Sequence, residues 1–390
     1  MDFYGIKDFP EVVLTGKIKQ KPDDFVVEEI TPSGKICKTG LDLSLIKDLF
    51  PQKFMEHLHF TLVKYNYTTE RAVAAISKKL RISKNRFGYA GTKDKIALTA
   101  QRVSVWNQKI NQLKWIRLRD IKIKDYHYEP ERLTLGDLSG NRFNITIRNI
   151  NAYKYAIEDE IQKLKEKIQT GILNYFGPQR FGEQRTVNHL IGKQLMLGNF
   201  EGAMMILLTH PGDISEDAAA ARKFAADNWG KWSEILKIWP RYLGLEAAIM
   251  NHLVHCPTDY AGAFRRLPKR LRRMFIHSFQ SYIFNIALTK ASEQGIELPA
   301  KLQLVGYDTK LEGKIGEIME SLLKSEDIKP EHFKLSRMPE LAEPGSERET
   351  FMKINSFRII YAADNEAKIT FVLDKGSYAT VFLKNFINTA

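Results

Sequence analysis

The segment NRFGYAGTKDKIALTAQRVSVW (residues 85–106) places two glycines before a Thr-Lys-Asp-Lys cluster, and a run that predicts a strand follows. Lys93 and Lys95 flank Asp94, and neighbouring positive charge favours an ionised carboxylate. An anion beside two cations suits a nucleophile or a base that faces a phosphate-bearing substrate. The same residue types are common in solvent-exposed turns, so composition alone leaves that interpretation open. The spacing is not that of a nucleotide-binding P-loop.

Outward from this segment, the first two hundred residues predict a mixture of strands and helices. A helix is expected after Thr68 and Thr69, and a longer one from about 153 to 170 that stops at Gly171. Asp125 interrupts an alternating pattern, which indicates a bulge. Strands are expected at 25–30, 57–64, 101–106, 121–128 and 143–147.

The pattern changes near residue 200. Residues 200–285 predict an almost wholly helical region, and residues 307–350 predict loops around one short helix near 315–324. Strands return at 369–373 and 380–383. Strand-rich ends around a helical middle indicate a domain inserted into a discontinuous host.

Composition limits the class of protein. The chain has 390 residues, which suggests about two or three domains, and 44% are hydrophobic, which excludes a disordered protein. Its 59 Lys and Arg exceed its 46 Asp and Glu, so the net charge of +13 favours nucleic acid as the partner. The alternative is a lysine-rich surface that maintains solubility. The two cysteines exclude a disulfide framework and indicate a reducing cytoplasm. We expect neither a secretory signal nor a membrane span.

Residues 90–101 (AGTKDKIALTAQ) resemble the signature of the TruD family of tRNA pseudouridine synthases, A-G-T-K-D-K-x-A-x-T-x-Q, at every fixed position. One departure is Asp374, where many members of the family have proline. Further segments resemble the family in the expected order: KPDDFVVEE (21–29), Lys64, Asn66 and Thr69, GNRFNITIR (140–148), NYFGPQRFG (174–182), SFQSYIFN (278–285) and GSYAT (376–380).

The resemblance implies an α+β protein with the pseudouridine synthase fold. That fold has a mixed, largely antiparallel sheet, flanking helices and a central cleft. The catalytic domain would comprise residues 1–200 and 348–390, and a mostly helical TruD domain would be inserted at residues 201–347. The implied reaction isomerises a uridine of tRNA, with position 13 as the leading target. It calls for no cofactor, metal, membrane or obligate protein partner.

The same resemblance assigns roles to individual residues. Asp94 falls on the catalytic aspartate, which acts at the ribose C1′. Phe176 would stack on the flipped base, Asn174 would hydrogen-bond in the site, and Phe25 would form part of the pocket wall. For the two phenylalanines, the alternative is ordinary core packing. Lys21 and Lys93 would hold the phosphate or maintain the geometry of the active site. Glu29 and Gln101 would orient the catalytic loop.

A strongly basic segment, FRRLPKRLRR, covers residues 264–273. On a helix, Leu267 and Leu271 would form an apolar side and leave the rest cationic. We expect this surface to track RNA phosphates, and a solvated helix face is the alternative. The proposed RNA-binding residues are Arg265, Arg266, Lys269, Arg270, Arg272 and Arg273.

Other features leave alternatives open. His252, His255 and Cys256 have a spacing that suggests zinc, but no fourth ligand is near in sequence, so we expect no metal. Arg142 and Arg180 suit phosphate contact or structural pairing equally. Two other functions remain: an RNA-binding protein whose catalysis has lapsed, and a metal-dependent RNA hydrolase. The hydrolase would need clustered carboxylates, and the motif region has only Asp94.

Overall fold

The computed structural model describes residues 5–6, 12–40, 53–182, 185–212 and 215–389. The chain groups into two compact units, each made of two stretches of sequence. The sheet unit is Phe9–Ile172 with Met352–Ala390, and the helical unit is Met1–Asp8 with Leu173–Phe351. Residues 173–200, which we expected in the catalytic domain, therefore group with the helical unit.

The chain contains twelve described strands. They are β1 (Thr15–Gly16), β2 (Phe25–Ile30), β3 (His57–Tyr65), β4 (Phe87–Tyr89), β5 (Leu98–Trp106), β6 (Ile121–Glu129), β7 (Gly140–Arg148), β8 (Lys301–Leu304), β9 (Ser346–Glu349), β10 (Ile354–Ala363), β11 (Glu366–Asp374) and β12 (Asn388–Thr389).

One eight-stranded sheet organises the sheet unit. Its order is β10-β11-β7-β2-β5-β3-β6, with β4 also paired to β5. The pairings described in this sheet are antiparallel except that of β2 with β5, which is parallel. This mixed, largely antiparallel sheet confirms the expected fold class. The predicted bulge is also confirmed, because the β3–β6 register shifts beside Asp125, whose φ is +54°.

Twelve described α-helices complete the two units. They are α1 (Thr69–Leu80), α2 (Ile110–Lys114), α3 (Lys154–Thr170), α4 (Asn188–Met196), α5 (Phe200–Thr209), α6 (Glu216–Asp227), α7 (Trp232–Ile238), α8 (Gly244–His255), α9 (Tyr260–Phe264), α10 (Lys269–Glu293), α11 (Gly313–Ser325) and α12 (Ala379–Leu383). None of the described helices combines the length and the apolar character that crossing a membrane requires.

Helix α1 packs on one face of the sheet, where it contacts side chains of β3 and β5. Its buried Ala72 and Ile76 pack with Phe60 of β3 and with Val103 and Val105 of β5. Thr68 accepts a hydrogen bond from the main-chain N–H of Arg71 (3.2 Å), which caps the helix as expected. Because successive residues of a strand point to opposite faces, Gln101 shares the face of α1 and Arg102 points to the other face.

The helical unit is built around α10, the longest described helix. Helices α4 and α11 and strand β8 pack against it, while α5 to α9 form a further helical layer. The chain bends at Pro268, which precedes the first residue of α10. Leu267 therefore lies outside the helix, and the expectation that Leu267 and Leu271 share one helical face is wrong. The proline explains the break, since its fixed ring geometry suits a helix start rather than a helix interior.

Two stretches of secondary structure differ from expectation. Residues 380–383 (TVFL) predict a strand, but they belong to helix α12. The ring of Phe382 packs 4.4 Å from that of Phe371 on β11, so burial against the sheet outweighs the strand preference of β-branched and aromatic residues. Strand β10 was not predicted, because its alternation is weak and most of its residues are exposed or half-buried.

Candidate active site

Asp94 lies in the loop between β4 and β5, and its carboxylate is held by an amine. Oδ2 of Asp94 accepts a hydrogen bond from Nζ of Lys19 at 2.6 Å. The two side chains are 30% and 18% exposed, so the pair is accessible without being fully solvated. Nζ of Lys19 also lies 4.4 Å from the ring centroid of Phe25, a cation–π contact.

The side chain of Lys64, which is fully buried, holds the main chain of this loop. Its Nζ donates hydrogen bonds to the carbonyl oxygens of Asp94 (2.7 Å), Tyr67 (2.5 Å) and Lys93 (3.3 Å). Burial lowers the pKa of Lys64 to about 8, although the charge of Asp94 acts in the opposite direction. A buried ammonium group therefore sets the position of the Asp94 backbone.

Glu29 connects the loop to the sheet. One of its carboxylate oxygens accepts a hydrogen bond from Nζ of Lys93 at 2.7 Å, and both side chains are buried. The other oxygen accepts a hydrogen bond from the main-chain N–H of Arg102 at 3.0 Å. This arrangement engages the ammonium group of Lys93 within the protein, where it ties the catalytic loop to β2.

Thr69 and Gln101 hold the loop from the α1 side. The Thr69 hydroxyl accepts a hydrogen bond from the main-chain N–H of Lys93 (3.0 Å) and donates one to Oε1 of Gln101 (2.8 Å). Nε2 of Gln101 then donates to the carbonyl of Gly91 at 2.8 Å. The structure therefore brings Asp94, Lys93, Glu29 and Gln101 into one hydrogen-bonded network.

Two expected residues near this network have different surroundings. Phe25 is 3% exposed, and its ring packs edge-on against Phe143 at 6.1 Å, so it is a core residue that meets the site through Lys19. Lys21 is exposed, and its main-chain N–H donates to Oδ2 of Asp24 at 2.9 Å. Sequence reasoning missed Lys19, which lies two residues before Lys21 and shows no motif of its own.

Asn174 and Phe176 belong to the helical unit, where both contact Arg348. Nη2 of Arg348 donates to Oδ1 of Asn174 (2.8 Å), and its Nε donates to the Asn174 carbonyl (3.0 Å). The Arg348 guanidinium lies 3.9 Å from the ring centroid of Phe176, and that of Arg180 lies 5.1 Å away. Phe176 is 3% exposed. Arg348 is a second residue that sequence reasoning missed.

Much of the expected RNA-binding segment is engaged in internal pairs. Arg272 donates to Glu340 (2.6 Å) and is buried, while Arg265 donates to the same carboxylate (3.2 Å). Arg273 donates to Glu343 (2.9 Å). Arg266 donates from its Nε to Nδ1 of His252 at 3.2 Å. Lys269 and Arg270 are exposed and form no ion pair with a residue that the structure describes.

The remaining candidates have structural contacts. Nε2 of His252 lies 2.8 Å from Oδ2 of Asp259, so this histidine belongs to a hydrogen-bonded network with Asp259 and Arg266 on the helical unit. Across the described ranges, no three His, Cys, Asp or Glu side chains converge as they would around a metal ion. Nε of Arg142 donates to Glu28 (2.8 Å), and Nε of Arg180 donates to the Ser281 hydroxyl (3.1 Å). Both arginines therefore have structural partners.

Comparison with known proteins agrees with this architecture. The family model described as tRNA pseudouridine synthase D (TruD) matches residues 10–303 and 297–386. A probable tRNA pseudouridine synthase D of Methanopyrus kandleri is 35% identical over 353 residues, which cover 85% of this chain and 86% of the relative. The relative of the same description from Methanosarcina mazei is 33% identical and covers 96% of this chain and 93% of its own.

A solved structure gives the same result. The crystal structure of a Methanosarcina mazei protein described as tRNA pseudouridine synthase D (TruD) superposes with a TM-score of 0.73 and 31% sequence identity. The superposition covers 99% of this chain and 96% of that chain. The family model and the relatives span nearly the whole sequence, as does the structural match. The chain therefore belongs to the TruD family of tRNA pseudouridine synthases.

Proposed function

We propose that this protein converts a uridine of tRNA to pseudouridine, with Asp94 acting at the ribose C1′ and with position 13 as the target. Family membership makes the chain an isomerase of this class. The observation that carries the assignment of Asp94 is its geometry. Its carboxylate is 30% exposed and paired with Lys19, on a loop whose main chain is held by buried side chains.

The reaction balances within the nucleotide. The bond between C1′ and N1 of the uridine breaks, the base turns, and a bond forms between C1′ and C5. The proton on C5 leaves and N1 gains one, so the product has the same composition as the substrate. A carboxylate stabilises or attacks the anomeric carbon as it gains positive charge, as in glycoside hydrolysis. The chemistry calls for no redox cofactor and no metal.

The target base has to leave its stack before it reacts. In this proposal, Phe176 supplies the stacking surface and Asn174 a hydrogen bond, and stacking on an aromatic ring contributes about 1 to 3 kcal/mol. Because Arg348 and Arg180 lie beside the ring of Phe176, the base takes the place of one guanidinium group. Phe25 supports Lys19 rather than contacting the base.

The basic residues divide between RNA contact and structure. Lys269 and Arg270 are the best candidates for phosphate contact, since both are exposed and neither pairs with a described carboxylate. Lys21 is a third, through its exposed side chain. The other arginines of residues 264–273 serve tRNA binding less directly, because their side chains are engaged. We place the protein in the cytoplasm, where its tRNA substrate would be found.

The target position has a direct test. Purified protein is incubated with a tRNA transcript, and pseudouridine is mapped along the product by chemical labelling and primer extension. A matched transcript carries cytidine at position 13. We expect one modified site in the first transcript and none in the second. If the second transcript were modified as much as the first, position 13 would not be the target, although the protein would still be shown to form pseudouridine.

A chelator distinguishes the alternative of a metal-dependent hydrolase. That enzyme would cleave the transcript and would stop in chelator. The isomerase leaves the chain length unchanged and works in chelator. Tight tRNA binding without any change in the transcript would favour an RNA-binding protein that has lost catalysis.

A further inference from the structure

The sheet unit contains a cavity of about 650 Å³ that has no role in the reaction described above. Its walls include His59 of β3, Arg102 of β5 and His127 of β6. Arg102 follows Gln101 on its strand, and Gln101 reaches the catalytic loop on the face of α1. Side chains alternate along a strand, so the cavity opens on the opposite face of the sheet from that loop.

Arg102 provides an unusual charge within this cavity. The residue is 5% exposed, so its guanidinium is buried. Its Nη1 donates to the carbonyl of Asp125 and to Nδ1 of His127, each at 3.2 Å. Among the residues that the structure describes, no carboxylate oxygen lies within 4.0 Å of its guanidinium nitrogens, since the Glu29 carboxylate meets only the main-chain N–H of Arg102. A buried cation without an anionic partner is costly, which is why most are paired.

The guanidinium has further donors. An arginine carries five N–H groups in a planar fork, and the Nε and Nη2 groups of Arg102 donate to no described acceptor. Such a fork matches two oxygens of a phosphate group. The exposed Lys35 and Arg132 add positive charge at the cavity rim.

The two histidines are neutral near pH 7. Burial and the charge of Arg102 lower the pKa of His127 to about 3, and burial lowers the pKa of His59. Nε2 of His59 donates to the Glu131 carbonyl at 2.8 Å. Four acidic residues also line the cavity, namely Asp125, Glu129, Glu131 and Asp137. Asp137 accepts a hydrogen bond from the main chain of Thr134 at 2.6 Å, and a Glu129 oxygen lies 3.5 Å from Nε2 of His127.

We propose that this cavity binds a phosphate group through Arg102. The charge of Arg102 is compensated when the phosphate enters, and the volume is within the range of about 300 to 1,000 Å³ of small-molecule sites. The phosphate belongs either to a small free molecule or to the backbone of the tRNA, and the two sources are separated by experiment. The proposal goes beyond the proposed function, because the cavity lies on the other face of the sheet from Asp94.

The first arm uses inorganic phosphate and the full chain, without tRNA. Phosphate is titrated by calorimetry at constant ionic strength, with acetate as the comparison anion. We expect saturable binding that Arg102→Gln weakens by about tenfold or more, since charge-assisted bidentate hydrogen bonds are the strong ones. Arg119→Gln removes the same charge from a 95% exposed side chain and leaves the affinity within about twofold.

Two further readouts keep the test valid if Arg102→Gln folds poorly. Lys35→Gln changes an exposed rim residue and is expected to weaken phosphate binding by about twofold to fivefold. In the wild-type protein, nitrogen NMR of His127 reports on the hydrogen bond that its Nδ1 accepts from Arg102. Phosphate that engages the guanidinium changes this hydrogen bond, so the nitrogen shifts move on titration with phosphate and not with acetate.

The second arm uses tRNA. If the phosphate belongs to the RNA backbone, Arg102→Gln lowers the slope of log affinity against log salt by about one, while Arg119→Gln does not. The proposal is overturned if the wild-type protein shows no saturable phosphate binding and the two variants bind tRNA alike. It is also overturned if acetate binds as well as phosphate. None of these readouts measures turnover, so failure of the proposed function does not affect them.

Discussion

Lys19 links two groups of the candidate active site. Its ammonium group lies 2.6 Å from the carboxylate of Asp94 and 4.4 Å from the ring centroid of Phe25. The ring restricts where the ammonium group can lie, and the ammonium group restricts where the carboxylate can lie. An apolar residue of the sheet core therefore affects the orientation of the Asp94 carboxylate without contacting it directly.

The variant Lys19→Met tests this arrangement. We expect kcat to fall by about 10- to 100-fold, because a misplacement of about 1 Å can cost a rate of that order. Lys19→Arg keeps a cation beside Asp94 and retains more activity. Single-turnover kinetics and tRNA affinity are measured for each variant. Equal activity of Lys19→Met and wild type would show that the ion pair has no role.

The residues of the site show what the sequence could predict. Asp94, Lys93 and Gln101 fall in one motif, and the structure places them in one network with Glu29. Lys19 and Arg348 could not be found in this way, because each meets its partner across a long stretch of chain. Lys19 is 75 residues from Asp94, and Arg348 is 174 residues from Asn174. Only the folded chain brings such residues together.

At the scale of elements, helices α4 and α10 of the helical unit approach each other closely at Gly192. A Cβ atom at Gly192 of α4 would lie 2.1 Å from the carbonyl oxygen of Phe275 on α10. The absence of a side chain lets the two backbones approach. A second contact holds the motif NYFGPQRFG against α10, since Asn285 of α10 hydrogen-bonds both main-chain groups of Phe176.

Gly192→Ala is therefore expected to destabilise the protein. Overpacking of this kind costs about 1 to 3 kcal/mol in free energy of unfolding. Urea denaturation gives the value. Gly244→Ala is the matched control, because a Cβ there meets nothing within 4 Å. If both variants unfold at the same urea concentration, the close approach has no energetic importance.

The first turns of α10 separate two kinds of basic residue. The double variant Lys269→Gln and Arg270→Gln removes exposed charges, so the salt slope of tRNA binding falls by about two while thermal stability is unchanged. Arg272→Gln breaks the ion pair of the buried Arg272 with the half-buried Glu340 and lowers stability instead. Filter binding at several salt concentrations and thermal melts measure the two effects. If Arg272→Gln lowered the salt slope and the double variant lowered thermal stability instead, Arg272 would be the residue that contacts RNA.

Secondary structure was predictable where periodicity and capping agreed. Helix α1 begins beside its Thr68 cap, and α3 ends at Gly171, whose φ is +106°. The prediction failed at residues 380–383, which lie in helix α12 although Thr, Val and Phe prefer strands. The burial of Phe382 against Phe371 decides that segment, and local preference carries no information about such packing.

At the scale of the whole molecule, each unit contains a histidine whose surroundings disfavour protonation. Burial lowers the pKa of His127 to about 3 in the sheet unit and that of His189 to about 4 in the helical unit. Both values lie below the ordinary 6.5. The unfolded chain therefore binds more protons than the folded chain between about pH 6.5 and pH 4.

Stability should consequently fall as the pH is lowered through this window. Each of these two histidines contributes at most about 1.4 kcal/mol per pH unit to the free energy of unfolding. Urea denaturation at pH 7.5 and pH 5.0 measures the change at constant ionic strength. His189→Phe keeps an aromatic ring beside Tyr282 and should reduce the pH dependence. An identical dependence in this variant would assign the effect to other groups.

The organisation into two units was only partly predictable. The sequence shows where strand patterns give way to helical ones, and this change lies near residue 200. In the structure, the boundary between the two units follows Ile172. Residues 173–200 pack with α10 of the helical unit, although they follow the strands in sequence. A boundary of this kind depends on long-range packing, which hydrophobic periodicity does not report.

The central claim is that Asp94 drives the isomerisation of a tRNA uridine. The most direct measurement is the release of tritium from C5 of uridine in a labelled tRNA transcript, with chelator present and no cofactor added. The account predicts release by the wild-type protein and none by Asp94→Asn, which is nearly isosteric and should bind tRNA about as tightly. Release at the wild-type rate by Asp94→Asn would contradict the assignment of Asp94, and no release by either protein would contradict the reaction.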